Sequence, residues 1–249
     1  MQNLQKFYIN GQWINPQSSK KMPVVNPATE EIIGEVILGN EEDVNIAVNA
    51  AKQSFKSFSK TSKEERMNIL KNIRKISEAR FDDLADAMTM EMGAPRKMSR
   101  EAQADAAIGH LDGFISALEK HEEKIELSNT DVLLKEPIGV CGLITPWNWP
   151  INQITLKVLP VIATGCTSIL KPSEHTPLSA MVYAEILDEA GVPAGVFNLV
   201  QGDGEGVGIA MSRHPDIEMM SFTGSKTVSY THLRAHETVL DLVCRLLLE

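Results

Sequence analysis

The chain has 249 residues, of which 43% are hydrophobic and 23% are charged, and its formal net charge is -9 at pH 7. These proportions are typical of a globular protein, and the length allows one large domain or two small ones. The negative charge argues against a nucleic-acid-binding surface, which requires a stripe of basic residues.

The sequence predicts neither targeting nor membrane insertion. Residues 1–13 lack the apolar core of a signal peptide, and the longest mostly apolar stretch, residues 159–170, is too short to span a bilayer. The three cysteines have neither metal-site spacing nor the pattern of a disulfide framework. We therefore expect a protein of the reducing cytoplasm, with no metal ion and no nucleic-acid or membrane partner.

The first half of the chain is predicted to begin with strands and to continue with helices. Residues 7–38 contain Asn-Gly and Asn-Pro turns, which favour short strands. From Glu41 the apolar residues follow a helical period. Ser62 and Glu65 form a capping box, which predicts the start of a second helix. Two further helices are expected over about residues 81–92 and 96–120.

After a charged connector, the second half alternates strands with helices. Thr176 is predicted to be the N-cap of the clearest helix, with Pro177 at its first position and Gly191 after its end. The alternation predicts a parallel sheet with right-handed crossovers. Strands are expected at residues 132–134, 138–143, 168–170, 196–200 and 218–222, with helices at residues 152–163, after Pro177 and after Gly202.

Three polar clusters directly follow predicted buried strands. They are residues 145–150, residues 171–174 and residues 222–225. Ligands of open α/β sheets bind beyond the carboxyl ends of the strands. The clusters therefore predict a ligand site.

Two of these clusters contain side chains suited to a dinucleotide and to an oxyanion. Lys171 can hydrogen-bond ribose hydroxyls, and Glu174 can accept from both hydroxyls while repelling a 2′-phosphate, which favours NAD over NADP. The alternative for this pair is a solvated Lys–Glu turn. Asn148, held between tryptophans and prolines, can donate to an oxyanion from a rigid position. The alternative interpretation of Asn148 is that its side chain only hydrogen-bonds the backbone of the turn.

A glycine-rich turn at residues 202–208 follows a predicted strand and opens a helix. Its amides can face a phosphate. The glycine spacing does not match G-x-G-x-x-G, so a turn without a ligand is an equal alternative.

Taken together, the order and separation of the three clusters resemble the NAD(P)-dependent aldehyde dehydrogenase superfamily. The resemblance covers about residues 7–227. It implies an α/β fold with a Rossmann-like parallel sheet and flanking helices, with the catalytic domain missing. It also implies four parts: residues 1–124 as the N-terminal helical part of the NAD-binding domain, residues 125–137 as oligomerisation or bridging strands, residues 138–228 as the Rossmann-like core, and residues 229–249 as a non-family tail.

The resemblance also implies roles for individual residues. Asn148 matches the amide that holds the oxyanion of a thiohemiacetal, and Lys157 matches a lysine that tunes protonation or anchors its helix. The residues that match cofactor contacts are Thr145, Pro146, Trp147, Lys171, Ser173, Glu174, Gly204, Gly208, Phe222, Gly224 and Ser225.

The nucleophile and the base of the family are not found in their usual contexts. The family mechanism uses a Cys thiolate and a Glu base. Cys141 and Cys166 are interpreted as core residues, and no family motif surrounds Cys244. We therefore expect this chain to be inactive by itself and to aggregate through the surface that faces the missing domain.

The tail is interpreted as a translated adapter sequence. His232 and His236 are four residues apart, but no third metal ligand is evident.

The complete enzyme is expected to be a homo-dimer or tetramer that oxidises an aldehyde to a carboxylic acid with NAD. Two alternatives stay open: a non-catalytic NAD-binding module, and a relative that makes acyl-CoA from a semialdehyde.

Overall fold

A computed structural model describes residues 3–224 of the chain. The N-terminal part forms the short strands that the turn residues predict. A tight turn at Asn10 and Gly11, both with positive φ, joins the first two strands. The strands are β1 (Phe7–Ile9), β2 (Gln12–Ile14), β3 (Lys20–Asn26) and β4 (Glu31–Leu38).

The helices of the first half also lie where the apolar period predicts them. The capping box of Ser62 and Glu65 is confirmed, and Asn40 and Asp43 form a second capping box at the preceding helix. The helices are α1 (Glu41–Phe58), α2 (Lys63–Ala79), α3 (Phe81–Met92), α4 (Arg96–Met98) and α5 (Asp105–Lys120), with a π-helical turn at Ser99–Ala104 between the last two.

The second half alternates strands and helices as predicted, which confirms the α/β class. Within residues 3–224 no helix combines the length and apolar character needed to cross a bilayer. The elements are β5 (Lys124–Glu126), β6 (Val132–Leu134), β7 (Val140–Ile144), α6 (Pro150–Ala163), β8 (Thr167–Lys171), α7 (Leu178–Glu189), β9 (Phe197–Leu199), a π-helical turn at Gly204–Gly208, α8 (Ile209–Arg213) and β10 (Met219–Phe222).

The main sheet has the strand order β10-β7-β8-β9-β1-β2. The first four strands of this order are parallel, whereas β1 pairs antiparallel with β9 and β2 pairs antiparallel with β1. Thus β8 lies on one side of β7 and β10 lies on the other. This reversal of strand order makes the β7–β10 junction a topological switch point.

The N-terminal hairpin extends this sheet, which the assignment of residues 1–124 to a helical part does not anticipate. Tyr8 pairs with Leu199 across a large separation in sequence, and no local pattern encodes such a pairing. The four-part division of the chain stays a prediction.

Helices cover both faces of the sheet, as parallel strands require. Alternate residues of β7 face opposite sides: Leu143 packs into a cluster that includes α2, α3, α5, α6 and α7, whereas Val140 packs into a second cluster that includes α1 and α8. Cys141 and Cys166 are buried, in agreement with their interpretation as core residues.

The start of α7 differs from the prediction. The helix begins at Leu178, and the carboxylate of Glu91 in α3 accepts hydrogen bonds from the amides of Leu178 and Ser179. The hydroxyl of Thr176, the predicted cap, is buried with no partner among the described residues. The prediction of a Thr176 cap is wrong because a distant carboxylate already satisfies these amides.

Candidate functional site

Three parallel strands end in one row at the switch point of the sheet. Ile144 at the end of β7 is in register with Lys171 of β8 on one side and with Phe222 of β10 on the other. The polar clusters that follow these strands therefore start along one edge of the sheet, and the ligand site expected at this edge stays a prediction. Ser225 of the third cluster, like the tail, lies outside the described residues.

Backbone bonds hold the first residues beyond the strands together. The Thr145 amide donates to the Lys171 carbonyl at 3.2 Å, and the Thr223 amide donates to the Ile144 carbonyl at 3.1 Å. The Thr145 hydroxyl is buried, and none of residues 3–224 hydrogen-bonds to it. A buried polar atom without a partner is uncommon in native proteins, so this hydroxyl has an unused capacity at the site.

The loop between β7 and α6 presents its side chains outward. Trp147 is 56% exposed, and Asn148 is also exposed. Pro150 stands at the first position of α6, where a missing N–H is harmless and the backbone angle suits a helix. The side-chain amide of Asn148 hydrogen-bonds to no described residue, so the alternative of a backbone-satisfying Asn has no support in these contacts.

Lys157 lies inside the molecule, below this loop. Its ammonium group donates to the Ser221 hydroxyl at 2.8 Å, which links α6 to β10. The residue is 9% exposed, and its burial lowers the pKa of the ammonium group to about 8. The contact supports the helix-anchoring interpretation of this lysine.

We expect the Lys157→Met variant to respond differently to pH. The pKa of Lys157 is about 8 in the folded state, compared with 10.5 for a free lysine. The folded state thus binds fewer protons between these values, and its free energy of unfolding rises with pH across that window. A shift of this size corresponds to a difference on the order of 3 kcal/mol, which Met removes. Urea unfolding of the protein at pH 7 and pH 10.5 measures this difference in the free energy of unfolding, and an equal change with pH for variant and wild type would contradict the prediction.

Lys171 is more deeply buried than its predicted role suggests, since it is only 4% exposed. Its ammonium group donates to the carbonyls of Pro172 and Gly202, each at 2.8 Å, and lies 3.5 Å from a carboxylate oxygen of Glu174. Burial lowers the pKa of Lys171, although Glu174 opposes this effect. Two of its three donors thus bind backbone carbonyls, and the third makes only the long contact with Glu174. Its role as a ribose contact stays a prediction.

The glycine-rich turn packs too closely for larger residues. A Cβ atom on Gly202 would lie 2.3 Å from the side chain of Val207, and one on Gly206 would lie 3.0 Å from the carbonyl oxygen of Gly39. Gly204 and Gly208, the two predicted contacts, begin and end the π-helical turn. The close packing explains why glycine is needed at positions 202 and 206. The amides of Gly206 and Gly208 donate within the turn, to the side chain and to the carbonyl of Asp203.

Asp203 caps this turn, which the sequence analysis missed. One carboxylate oxygen accepts from the Gly206 amide at 2.7 Å, and the other accepts from the Lys20 ammonium group at 2.8 Å. Burial acts in the opposite direction, but these bonds lower the pKa of Asp203. An Asp directly before a turn of helix is a known capping signal, so the capping role of Asp203 could have been predicted from the sequence. Its ion pair with Lys20 of β3 could not, because the two residues are far apart along the chain.

Comparison with known proteins extends these observations. A family model described as the aldehyde dehydrogenase family matches residues 13–249, which includes the predicted tail. The chain is 49% identical to 3-succinoylsemialdehyde-pyridine dehydrogenase from a Pseudomonas species over 226 residues, covering 90% of this chain and 47% of that protein. It therefore spans about half the length of the curated relatives that it matches.

Solved structures match over a similar extent. Aldehyde dehydrogenase from Bartonella henselae superposes with a TM-score of 0.90 at 46% identity, over 92% of this chain and 49% of that one. A mutant of aldehyde dehydrogenase C from Pseudomonas syringae, solved with NAD+ and octanal, superposes with a TM-score of 0.92 at 45% identity, over 94% and 48% of the two chains. The Rossmann-like arrangement predicted for the core is thereby confirmed.

Proposed function

The chain belongs to the aldehyde dehydrogenase family, and we propose that the full-length protein oxidises an aldehyde to a carboxylic acid with NAD. The observation that carries this proposal is the meeting of the three polar clusters at the β7–β10 switch point. The comparison with solved structures supports the proposal, since the similar protein from Pseudomonas syringae was solved with NAD+ and octanal.

The residues at the strand ends fit a dinucleotide. The Thr145 hydroxyl offers a buried group with no partner among the described residues, and the glycine turn follows β9 at the same edge of the sheet. Glu174 would accept from ribose hydroxyls and repel a 2′-phosphate, which supports NAD over NADP. NAD, when bound, supplies a hydride acceptor; the chain's own residues bind it and orient it. The further proposed contacts are Pro146, Trp147, Lys171, Ser173, Gly204, Gly208, Phe222, Gly224 and Ser225.

Asn148 is proposed to stabilise the negative charge that develops on the aldehyde oxygen. Asn148 is exposed in the loop between β7 and α6, which also carries the proposed cofactor contacts Thr145 to Trp147 and contains two prolines. Fixed dipoles stabilise charge without reorganising during the reaction. We propose that the thiolate nucleophile lies in the part of the relatives' length that this chain does not span, because Cys141 and Cys166 are both buried. The Glu base is proposed to lie there as well, since its family context is not found in this sequence.

The hairpin of β5 and β6 is proposed to join copies of the protein into a dimer or tetramer. Its apolar side chains face solvent in the described part of the chain: Val132 is 47% exposed, Leu133 43% and Leu134 60%. Contiguous exposed apolar residues mark interaction surfaces.

We also propose that the protein is cytoplasmic. Cys141 and Cys166 are free cysteines, and free cysteines stay reduced in that compartment.

Assays of the full-length protein and of the 249-residue chain test the function. We expect NADH formation from the full-length protein with aldehydes, slower NADPH formation, and no turnover by the 249-residue chain, whose nucleophile is not identified. NADH production by the short chain at a comparable rate would contradict its proposed inactivity. A requirement for coenzyme A would favour the acyl-CoA-forming alternative, and NAD binding without turnover by the full-length protein would favour a non-catalytic module.

A further inference from the structure

The N-terminus of α7 is capped by a residue from another helix. Glu91, in the last turn of α3, accepts from the Leu178 amide at 2.5 Å and from the Ser179 amide at 3.2 Å. Glu91 is 3% exposed. No side chain at the cap position of α7 makes a capping bond. The two amides are those that a local cap at Thr176 would normally satisfy, and the Thr176 hydroxyl has no partner in the described part of the chain.

A carboxylate at this position does more than a local cap can. Burying a charged carboxylate is costly, and only good hydrogen bonds and the positive end of a helix offset the cost. A hydroxyl from Thr176 would satisfy the amides without that cost, but it would add no bond between the start of α7 and α3. The bond from Glu91 therefore fixes where α7 begins in space, in addition to satisfying its first amides.

The loop that precedes α7 carries two of the proposed ribose contacts, Ser173 and Glu174. Its N-terminal end is held by Lys171, which binds the Gly202 carbonyl at 2.8 Å. At its C-terminal end, the Gln201 side chain donates to the Pro177 carbonyl at 3.3 Å. Glu91 binds the next two amides of the chain, so the loop is held from both ends.

We propose that Glu91 is a positioning residue for the adenosine-ribose end of the cofactor site, acting through the start of α7 on the loop of Ser173 and Glu174. This inference rests on the proposed function, since it assigns the loop to NAD. It predicts that changes at Glu91 weaken ligands that contain the adenosine ribose and spare ligands that lack it.

The test compares ADP-ribose with nicotinamide mononucleotide by calorimetric titration of the full-length protein. We expect Glu91→Ala to weaken ADP-ribose binding about tenfold, equivalent to about 1.4 kcal/mol, and to change nicotinamide mononucleotide binding less than about twofold. Glu91→Gln keeps the shape of the side chain and one acceptor oxygen, so an intermediate loss is expected. This second variant keeps the test decisive if the alanine variant does not fold.

Two further variants separate positioning from helix stability. Thr176→Asp added to Glu91→Ala supplies a local carboxylate cap; we expect it to restore the melting temperature but not the affinity for ADP-ribose. Glu189→Gln is the matched control, because Glu189 also joins α7 to the α3 region, through Arg80, but at the far end of the helix. It is expected to leave both affinities unchanged.

The outcomes distinguish the two proposals. An equal loss for both ligands, no loss for either, or recovery of ADP-ribose affinity with Thr176→Asp would overturn the positioning role while leaving NAD binding intact. Failure of the wild-type full-length protein to bind NAD or ADP-ribose would overturn the proposed function itself.

Discussion

Replacing Asn148 with alanine in the full-length protein is expected to lower kcat for aldehyde oxidation about 10²- to 10³-fold, which is the usual effect of losing one oxyanion donor. The aldehyde KM should change little, because the amide acts on charge that develops only in the transition state. The loop itself should persist, since the Asn148 side chain hydrogen-bonds to none of the described residues. Steady-state NADH formation with a saturating cofactor concentration measures the effect.

Asn152→Ala provides the matched control for this change. Asn152 is also on the segment after β7, but its side chain contacts His110 of α5 at 2.7 Å. We expect this variant to keep most of its kcat. Comparable losses in both variants would assign the effect to the fold of the segment, and an unchanged kcat in Asn148→Ala would exclude the oxyanion role.

Replacing Glu174 with glutamine is expected to reverse part of the cofactor preference. Hydrogen bonds to a charged group contribute about 1.5–3 kcal/mol, so the affinity for NAD should fall about 10- to 100-fold. The affinity for NADP should fall less or rise, because the carboxylate that repels its 2′-phosphate is gone. Dissociation constants for both cofactors, measured by quenching of tryptophan fluorescence, give the ratio directly.

A second glutamate controls for net charge. Glu205 lies in the nearby glycine turn and is exposed, so Glu205→Gln removes the same charge without removing a proposed ribose contact. We expect a small change in the NAD to NADP ratio for this variant. If both variants shift the ratio equally, the preference arises from the general negative field of the site, and Glu174 has no specific role.

The strand and helix positions could largely be predicted because each depends on neighbouring residues. The apolar period of α1, the capping box at Ser62 and the left-handed Gly191 after α7 are local signals, and the structure confirms each of them. The clusters at residues 145–150 and 171–174 could be predicted to meet, because parallel strands bring their carboxyl ends to one edge of a sheet.

The roles inside the site could be predicted only in part. Residue types and spacing predicted cofactor contacts at Lys171 and Glu174, which stay predictions, and they did not indicate that two donors of Lys171 bind backbone carbonyls. They also did not indicate that Asp203 is bound by Lys20. Each of these contacts joins segments that are distant along the chain, so their geometry depends on how the helices and strands pack.

The sequence alone therefore determined the α/β class, the order of the elements, the strand-end clusters and the family resemblance, because turn chemistry, caps and hydrophobic period act over a few residues. Only the tertiary structure decided that the N-terminal hairpin extends the sheet beside β9, and that Glu91 rather than Thr176 caps α7. In the second case two groups compete for the same amides. The distant carboxylate, brought close by the packing of α3 against α7, occupies them and leaves the local hydroxyl without a partner.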